Sequence, residues 1–166
     1  GIVANNASGM CCGTAENSYK TLSDIRLVMY DGTILDTTSD TSINNFLSVH
    51  KNLVKEIISI RDSIKEDKKL AERIRTKYKI KNTTGYSLNA FVDYHEPIDI
   101  IKHLIVGSEG TLAFISNVIY ETVVEERYKA CAFIVFDSIK IACEAIPLLK
   151  DTPVSAVELL DRASIR

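Results

Sequence analysis

The chain opens GIVANNASGMCCGTAENS, in which eleven of eighteen residues are Gly, Ala, Ser, Thr or Cys and three more are Asn. Only Ile2, Val3 and Met10 are sizeable apolar groups, so neither the helical nor the strand hydrophobic period is present. Small side chains leave main-chain N–H and C=O groups open, and such a backbone can lie flat against a planar or anionic ligand. Gly1, Gly9 and Gly13 allow positive φ, and Asn5 and Asn6 add amide donors and acceptors without charge. The same composition also suits a tightly packed loop that binds nothing. No GKS or GKT follows and no GxGxxG occurs, so neither a P-loop nor a dinucleotide fingerprint is present. A second stretch, Gly107-Ser108-Glu109-Gly110-Thr111-Leu112, sets Ser-Glu between two glycines. Glu109 there has two readings: it caps the turn by accepting backbone N–H groups, or it holds a ligand hydroxyl.

Other candidates for chemistry are weaker. Cys11, Cys12, Cys131 and Cys143 form no CxxC, and a vicinal pair is poorly placed for disulfide geometry. Reduced thiols are the ordinary reading; a redox role for Cys11 and Cys12 is the alternative. His50, His95 and His103 lie far apart with no metal-ligand spacing. No catalytic or metal-ligating residue is assigned.

The elements that must position the two glycine-containing stretches read as α+β. Arg26–Tyr30 predicts a strand, Asp31-Gly32 a hairpin turn and Thr33–Asp36 its return. Residues 37–42 offer helix N-caps, with Ser42 a candidate. Val54, Ile57, Ile58, Ile64, Leu70, Ile74 and Tyr78 recur at helical spacing, predicting two or three helices over 43–79 with a break near 65–67. Residues 51–81 hold eleven Lys/Arg against five Asp/Glu, a balance of +6, which leaves −8 for the rest of a chain of net charge −2. KNTTGYSLN at 81–89 reads as a turn. Pro97 starts a short helix through His103, and residues 111–124 read as a strand or strand pair. From 128 to 160 the pattern predicts β-α-β: a strand at 128–137, a helix from Ser138 with Ile139, Ala142, Cys143 and Ile146 on one face and Pro147 in its last turn, then a further strand.

With 166 residues, 46% apolar and 25% charged, the chain has the balance of a globular domain with its own core. The small net charge provides no global field for nucleic acid or an anionic membrane. No uncharged apolar run approaches the ~20 residues of a membrane span, and no signal peptide precedes the first loop. The absence of an initiator Met, with the uncapped close at VELLDRASIR, reads as an excised piece of a longer protein.

ANNASGM followed about a hundred residues later by GSEGTLAFIS resembles the FAD-linked 2-hydroxy acid dehydrogenases, the glycolate oxidase subunit and D-lactate dehydrogenase group of vanillyl-alcohol oxidase-like flavoproteins. NTTGYSLN resembles that family's NTGYDL segment, which precedes the second motif. MCCGTAENSYKTL is similar to the long, iron–sulfur-containing branch, and VELLDRASIR to the entrance of the cap domain. The resemblance spans essentially the whole chain. It implies that residues 1–124 are the second subdomain of a two-part FAD-binding domain, a largely antiparallel sheet with helices packed on it. Residues 125–166 would begin the substrate-side cap. It further implies that Ala4, Asn5, Asn6, Ala7, Ser8 and Gly9 face the cofactor, joined by Glu109, Gly110, Phe114 and Ile115. Ala113 departs from the family, which often has Gly there.

The implied activity is oxidation of a D-2-hydroxy acid (D-lactate, glycolate or D-2-hydroxyglutarate type) to the 2-oxo acid, with electrons passed to a further acceptor. The other FAD subdomain, the catalytic base, the substrate-binding arginines and any iron–sulfur cysteines would lie outside these residues. The opening loop, lacking its opposite wall, is then expected to be exposed, mobile or packed against something foreign to it. A cytoplasmic location follows, with peripheral contact at the inner membrane face an option for the basic helices. Nucleic acid is not expected, because aromatics are not interleaved with the basic residues. A different reading makes the basic helices a docking module for a protein or nucleic acid, without catalysis, whose binding would fail on charge reversal at Lys65, Lys68, Lys69 and Arg73.

Overall fold

Ile25, Leu27 and Met29 alternate with Arg26, Val28 and Tyr30, and in the computed structural model the first set is buried, the period-two signature of a sheet covered on one face. Residues 1–9, 11–149 and 152–165 are described. Strand β1 spans Leu22–Val28, β2 Ile34–Asp36 and β3 Phe114–Tyr120, joined antiparallel in the order β2-β1-β3. Leu27 is the pivot, opposite Leu35 on one side and Ile115 on the other. β1 starts four residues earlier than its apolar run suggests. The polar residues there are held by side chains: Thr37 Oγ1 accepts from Ile25 N at 2.9 Å and donates to Asp24 at 2.9 Å. The Asp31-Gly32 hairpin is as expected, with Gly32 at φ 84°. The strand expected over 111–124 is shorter, because β1 offers no partner beyond the Leu22–Tyr120 pair.

Helices α1 (Ser18–Thr21), α2 (Asp40–Val49), α3 (Lys51–Glu66), α4 (Lys68–Lys77), α5 (Ala90–Asp93) and α6 (Pro97–Leu104) follow the chain order. The N-cap of α2 is Ser39, not Ser42; the Ser42 hydroxyl is spent on the Asp36 N–H, at 2.9 Å. The break between α3 and α4 falls at Asp67, within the expected window. Its carboxylate accepts from Leu70 N at 2.9 Å, capping α4. Asp67→Ala is expected to cost about 1 kcal/mol, the usual loss for an N-cap, read as a fall in the urea midpoint. Ile57, Arg61 and Ile64 form the buried stripe of α3. The Arg61 guanidinium is satisfied there by Asp62 and the His95 carbonyl. On α4, Ala71 and Ile74 turn inward, and Leu70, expected in the apolar face, is exposed.

After β3 the expected β-α-β unit keeps only its helix, α7 (Ile139–Leu149), which contains Pro147 and has no buried residue. Residues 128–137 form no strand, and Phe133 and Val135 are 73% and 81% exposed. A strand needs a ladder partner and a covered face, and among the described residues this stretch has neither. The further strand expected within DTPVSAVELLD is also absent from the described residues. Its start at Asp151 lies outside them, as do Met10, Lys150 and Arg166. No helix among the described residues is long and apolar enough to cross a membrane.

Candidate functional site

The opening loop is wound rather than flat. Asn5 N donates to Gly1 O, Asn6 N to Val3 O and Ala7 N to Ile2 O, at 2.9–3.1 Å. Asn5 Oδ1 accepts from Ala7 N at 3.0 Å. The left-handed residue is Asn6, at φ 50°, an amide tolerated there better than most side chains. This winding buries Val3 and Asn6 and leaves Gly1, Ile2, Asn5, Ala7 and Gly9 exposed. It also separates the six residues expected to share a ligand face: Asn5, Ala7 and Gly9 point to solvent, while Ala4 and Ser8 are half-buried.

The loop docks on the second glycine-containing stretch, where α6 ends. Gly107 N donates to Val3 O at 3.0 Å and Glu109 N to Ala4 O at 2.7 Å. Residues 108–111 close a type I′ turn, with Glu109 and Gly110 at φ 53° and 75° and Thr111 N donating to Ser108 O at 3.0 Å. The Glu109 side chain is exposed and has no hydrogen bond among the described residues, so it does not cap the turn. The third segment, 82–89, closes over the same point. Ser87 Oγ donates to Val106 O at 2.7 Å, and Asn6 Nδ2 reaches Asn82 O at 3.4 Å. Thr111 Oγ1 donates to Ser108 O at 2.6 Å, so its contact with Tyr86 at 2.9 Å has the tyrosine hydroxyl as donor. Tyr78 pinches the segment from α4: its hydroxyl donates to Tyr86 O at 2.7 Å and accepts from Leu88 N at 3.1 Å. Lys81 holds the far end of the opening loop, donating to Ser8 O and Gly9 O at 2.9 and 3.3 Å.

All three segments meet at Gly107, at φ 86°, where a Cβ would stand 3.2 Å from Gly85 O and 3.5 Å from Asn6 Cβ. Beside this junction lies a groove of about 440 Å³, walled by Gly1, Val3 and Ala4 on one side and by Gly110 and residues 113–118 of the β3 side on the other. Ala4, Gly110, Phe114 and Ile115 line it; Asn5, Asn6, Ala7, Ser8, Gly9 and Glu109 do not. Ala113 also lines the groove, with its methyl buried. No lining side chain is titratable, so the side chains of the groove offer shape, apolar surface and the neutral polarity of Ser116 and Asn117, but neither acid nor base.

Around the junction, four buried polar atoms have no partner among the described residues: Asn6 Oδ1, Ser8 Oγ, Asn82 Nδ2 and Ser108 Oγ. Asn6 and Ser108 are 6% and 1% exposed, and unpaired polar atoms at that depth are uncommon in folded proteins. The sequence singled out Asn6 as a site residue, whereas Tyr78 entered only through its helical spacing and Tyr86 and Ser87 only within NTTGYSLN, because their roles lie in hydrogen bonds to residues outside their own turn.

The histidines lie elsewhere. His50 packs on Phe46 with ring centroids 4.7 Å apart. His103 is buried between Tyr94, stacked at 3.9 Å, and Tyr19, edge-on at 5.1 Å. Its Nδ1 donates to Asp99 O at 2.8 Å, and desolvation lowers its pKa to about 4. Burial, and then Asp93, push the Tyr94 phenol up to about 12. The four cysteines are free thiols, and no metal-holding group of His, Cys, Asp and Glu exists among the described residues. The chain matches no protein-family model, no curated protein and no solved structure.

Proposed function

We propose that the chain forms one wall of the flavin cleft in a FAD-dependent dehydrogenase of D-2-hydroxy acids. The observation that supports this most is the meeting at Gly107 of residues 1–9, 82–89 and 107–111. These are the segments on which the family resemblance rests, and they are far apart in sequence. The residues present suit such a cofactor. No side chain of the groove is charged, and small or apolar groups line most of it, with the neutral polar Ser116 and Asn117 on the β3 side. Ala4, Gly110, Phe114 and Ile115 would hold the cofactor, with Ser116 and Asn117 the polar side chains that line the groove beside them. When bound, FAD supplies the hydride acceptor that converts the hydroxy acid to the 2-oxo acid.

The chain's own part is positioning and exclusion of water. The groove has no side chain able to take the hydroxyl proton, so the base and the groups that bind the substrate carboxylate belong to other segments of the enzyme. So does any iron–sulfur cluster that passes electrons on. On this reading residues 1–124 are a FAD subdomain and residues 125–166 start the cap, whose exposed apolar side chains await the rest of that domain. The location is cytoplasmic.

The test is flavin content. The 166-residue chain alone is expected to bind FAD weakly or not at all, because the groove is open on one side. Joined to the neighbouring sequence of its parent, it is expected to hold stoichiometric flavin that is bleached by a D-2-hydroxy acid. Ala4→Leu, which fills the groove, should then lower flavin retention at least tenfold. A yellow 166-residue chain with stoichiometric flavin contradicts the two-wall reading. A colourless, folded parent contradicts the flavin assignment itself.

A further inference from the structure

Helix α4 carries Lys68, Lys69, Arg73, Arg75 and Lys77 against a single acid, Glu72. Arg75 pairs with that acid at 3.6 Å. Lys69, Arg73 and Lys77 are exposed and in no ion pair among the described residues. They recur every fourth residue, so their Cα atoms rise about 6 Å per step along one side of the helix. Arg75 and Lys77, in the last turn, suit the helix dipole, but the start of the row does not. Like charges at i,i+4 repel, and the first turn holds two lysines and no acid, against the helix dipole. Asp67, the nearby carboxylate, is engaged in the cap. Leu70, 39% exposed, flanks this row at the margin between it and Ile74, which lies four residues on and faces the core. The opposite side of α4, Ala71 and Ile74, is the part that packs into the core.

We propose that this outer side of α4 is a docking face for an acidic protein segment, one whose carboxylates repeat at a similar spacing and which covers Leu70 with an apolar side chain. Charge complementarity selects that occupant. The cationic row is short, about 12 Å from Lys69 to Lys77, and the remainder of the chain is acidic, at −8 outside residues 51–81. A long polyanion that ran past the row would meet that acidic remainder, whereas a short acidic segment would not. The exposed side also has no aromatic platform for bases; Tyr78 is half-buried, with its hydroxyl engaged on Tyr86 and Leu88. Lys65, grouped with these residues from sequence, is used differently: its ammonium donates to Tyr94 O at 3.3 Å. From α4 the chain runs directly to Lys81, which grips the opening loop. A partner on α4 is therefore a few residues of chain from the groove wall.

The test is fluorescence anisotropy of a labelled helical peptide bearing Glu at i, i+4 and i+8 with a central Leu, titrated with the full chain. Expected are saturable binding, at least tenfold weakening between low and moderately high salt, and at least tenfold loss in K69Q/R73Q/K77Q. The charge-preserving Lys69→Arg, Arg73→Lys, Lys77→Arg variant and the α3 control K51E/K55E should bind as the unaltered chain does. In the complex, Lys69 and Lys77 should be protected from amine acetylation read by mass spectrometry, a measurement that does not depend on any variant folding. No binding by the unaltered chain, unchanged binding by the glutamine variant, or acetylation of Lys69 and Lys77 without protection overturns the proposal. Tighter binding of a single-stranded oligonucleotide or anionic vesicle of matched charge also overturns it, and assigns the face to that polyanion. None of these outcomes involves flavin.

Discussion

Gly107→Ala is expected to destabilise the fold by about 2–4 kcal/mol, from a left-handed backbone penalty of about 1–2 kcal/mol and an overpacking cost of similar size. Gly107 stands at φ 86°, and an added methyl would press on Gly85 O at 3.2 Å and Asn6 Cβ at 3.5 Å. Neither neighbour is the free end of a flexible side chain. One is backbone, and the other belongs to a residue held by the Asn6 N to Val3 O bond. Relief therefore requires residues 1–9 or 82–89 to move away, which loosens the hydrogen bonds that set one wall of the groove. Gly110→Ala is the control. Its φ is 75°, but nothing lies within 4 Å of its added Cβ, so only the backbone penalty of about 1–2 kcal/mol applies. Urea midpoints of the two variants should differ clearly, with Gly107→Ala the lower. Equal midpoints would mean that the three segments do not meet tightly there.

The second large effect is a pH dependence at His103. Desolvation is the main cause of its lowered pKa, about 4 against an ordinary 6.5; Lys102 and Lys20 add to it, while Asp99 opposes it through its carbonyl and its carboxylate. Tyr19 and Tyr94 face the ring on either side, and Asp93 lies behind Tyr19, accepting its hydroxyl at 2.9 Å. The unfolded chain protonates this imidazole below about pH 6.5 and the folded chain only near 4. Between those values the unfolded state binds more protons, so stability rises with pH across the window and is lost as pH falls through it. The ceiling on this loss is about 3 kcal/mol. His103→Phe keeps an aromatic ring between the tyrosines and removes the titration. At pH 7.5 the variant should be less stable by about 1 kcal/mol, for the lost hydrogen bond to Asp99 O. Below pH 5 it should be the more stable of the two. Asp31 and Asp36 also favour their charged forms in the fold, through hydrogen bonds to the Thr33 and Thr38 segments. Because both proteins share those acids, the difference between their stability curves isolates His103. Parallel curves would show that the imidazole is not desolvated.

What could be read from the sequence was what local chemistry decides. Asp31-Gly32 specifies its turn, Pro97 its helix start, and the α3–α4 break falls where Asp67 can serve as a cap. Two errors arose where one neighbour displaced another. Ser42 resembles an N-cap, but its hydroxyl is taken by Asp36 N, and Ser39 fills the role. Leu70 has the hydrophobicity for the core, yet Ala71 occupies the buried position. The larger miss, at 128–137, has a different cause. Val, Ile and Phe give that stretch strand propensity, but propensity is realised only with a partner to pair and a face to cover.

The candidate site was legible as three motifs and not as a surface. Composition marked the opening loop as bare, but the turn that winds it and sends Asn6 inward depends on Gly107 and residues 82–89, about 80 to 100 residues away. Glu109 drew attention by its charge. Its place in the structure comes from its backbone, at φ 53° in a turn where a glycine would be under less strain.

The strand order has a consequence for how the groove comes into being. The β1–β2 hairpin closes over a few residues, whereas β1 must wait for β3, with Leu22 paired to Tyr120 across almost a hundred residues. In synthesis from the N-terminus, the hairpin and helices α2 to α6 leave the ribosome before β3 does. Long loop closures are entropically slow compared with local ones. One wall of the groove is built from Gly1, Val3 and Ala4 and the other ends at Val118, so the opening loop must wait for nearly the last residues of the sheet before the groove can form. A nascent chain stalled before residue 114 has the hairpin and the helical segments but no groove, and during that interval the free edge of β1 is the place where a wrong strand can pair.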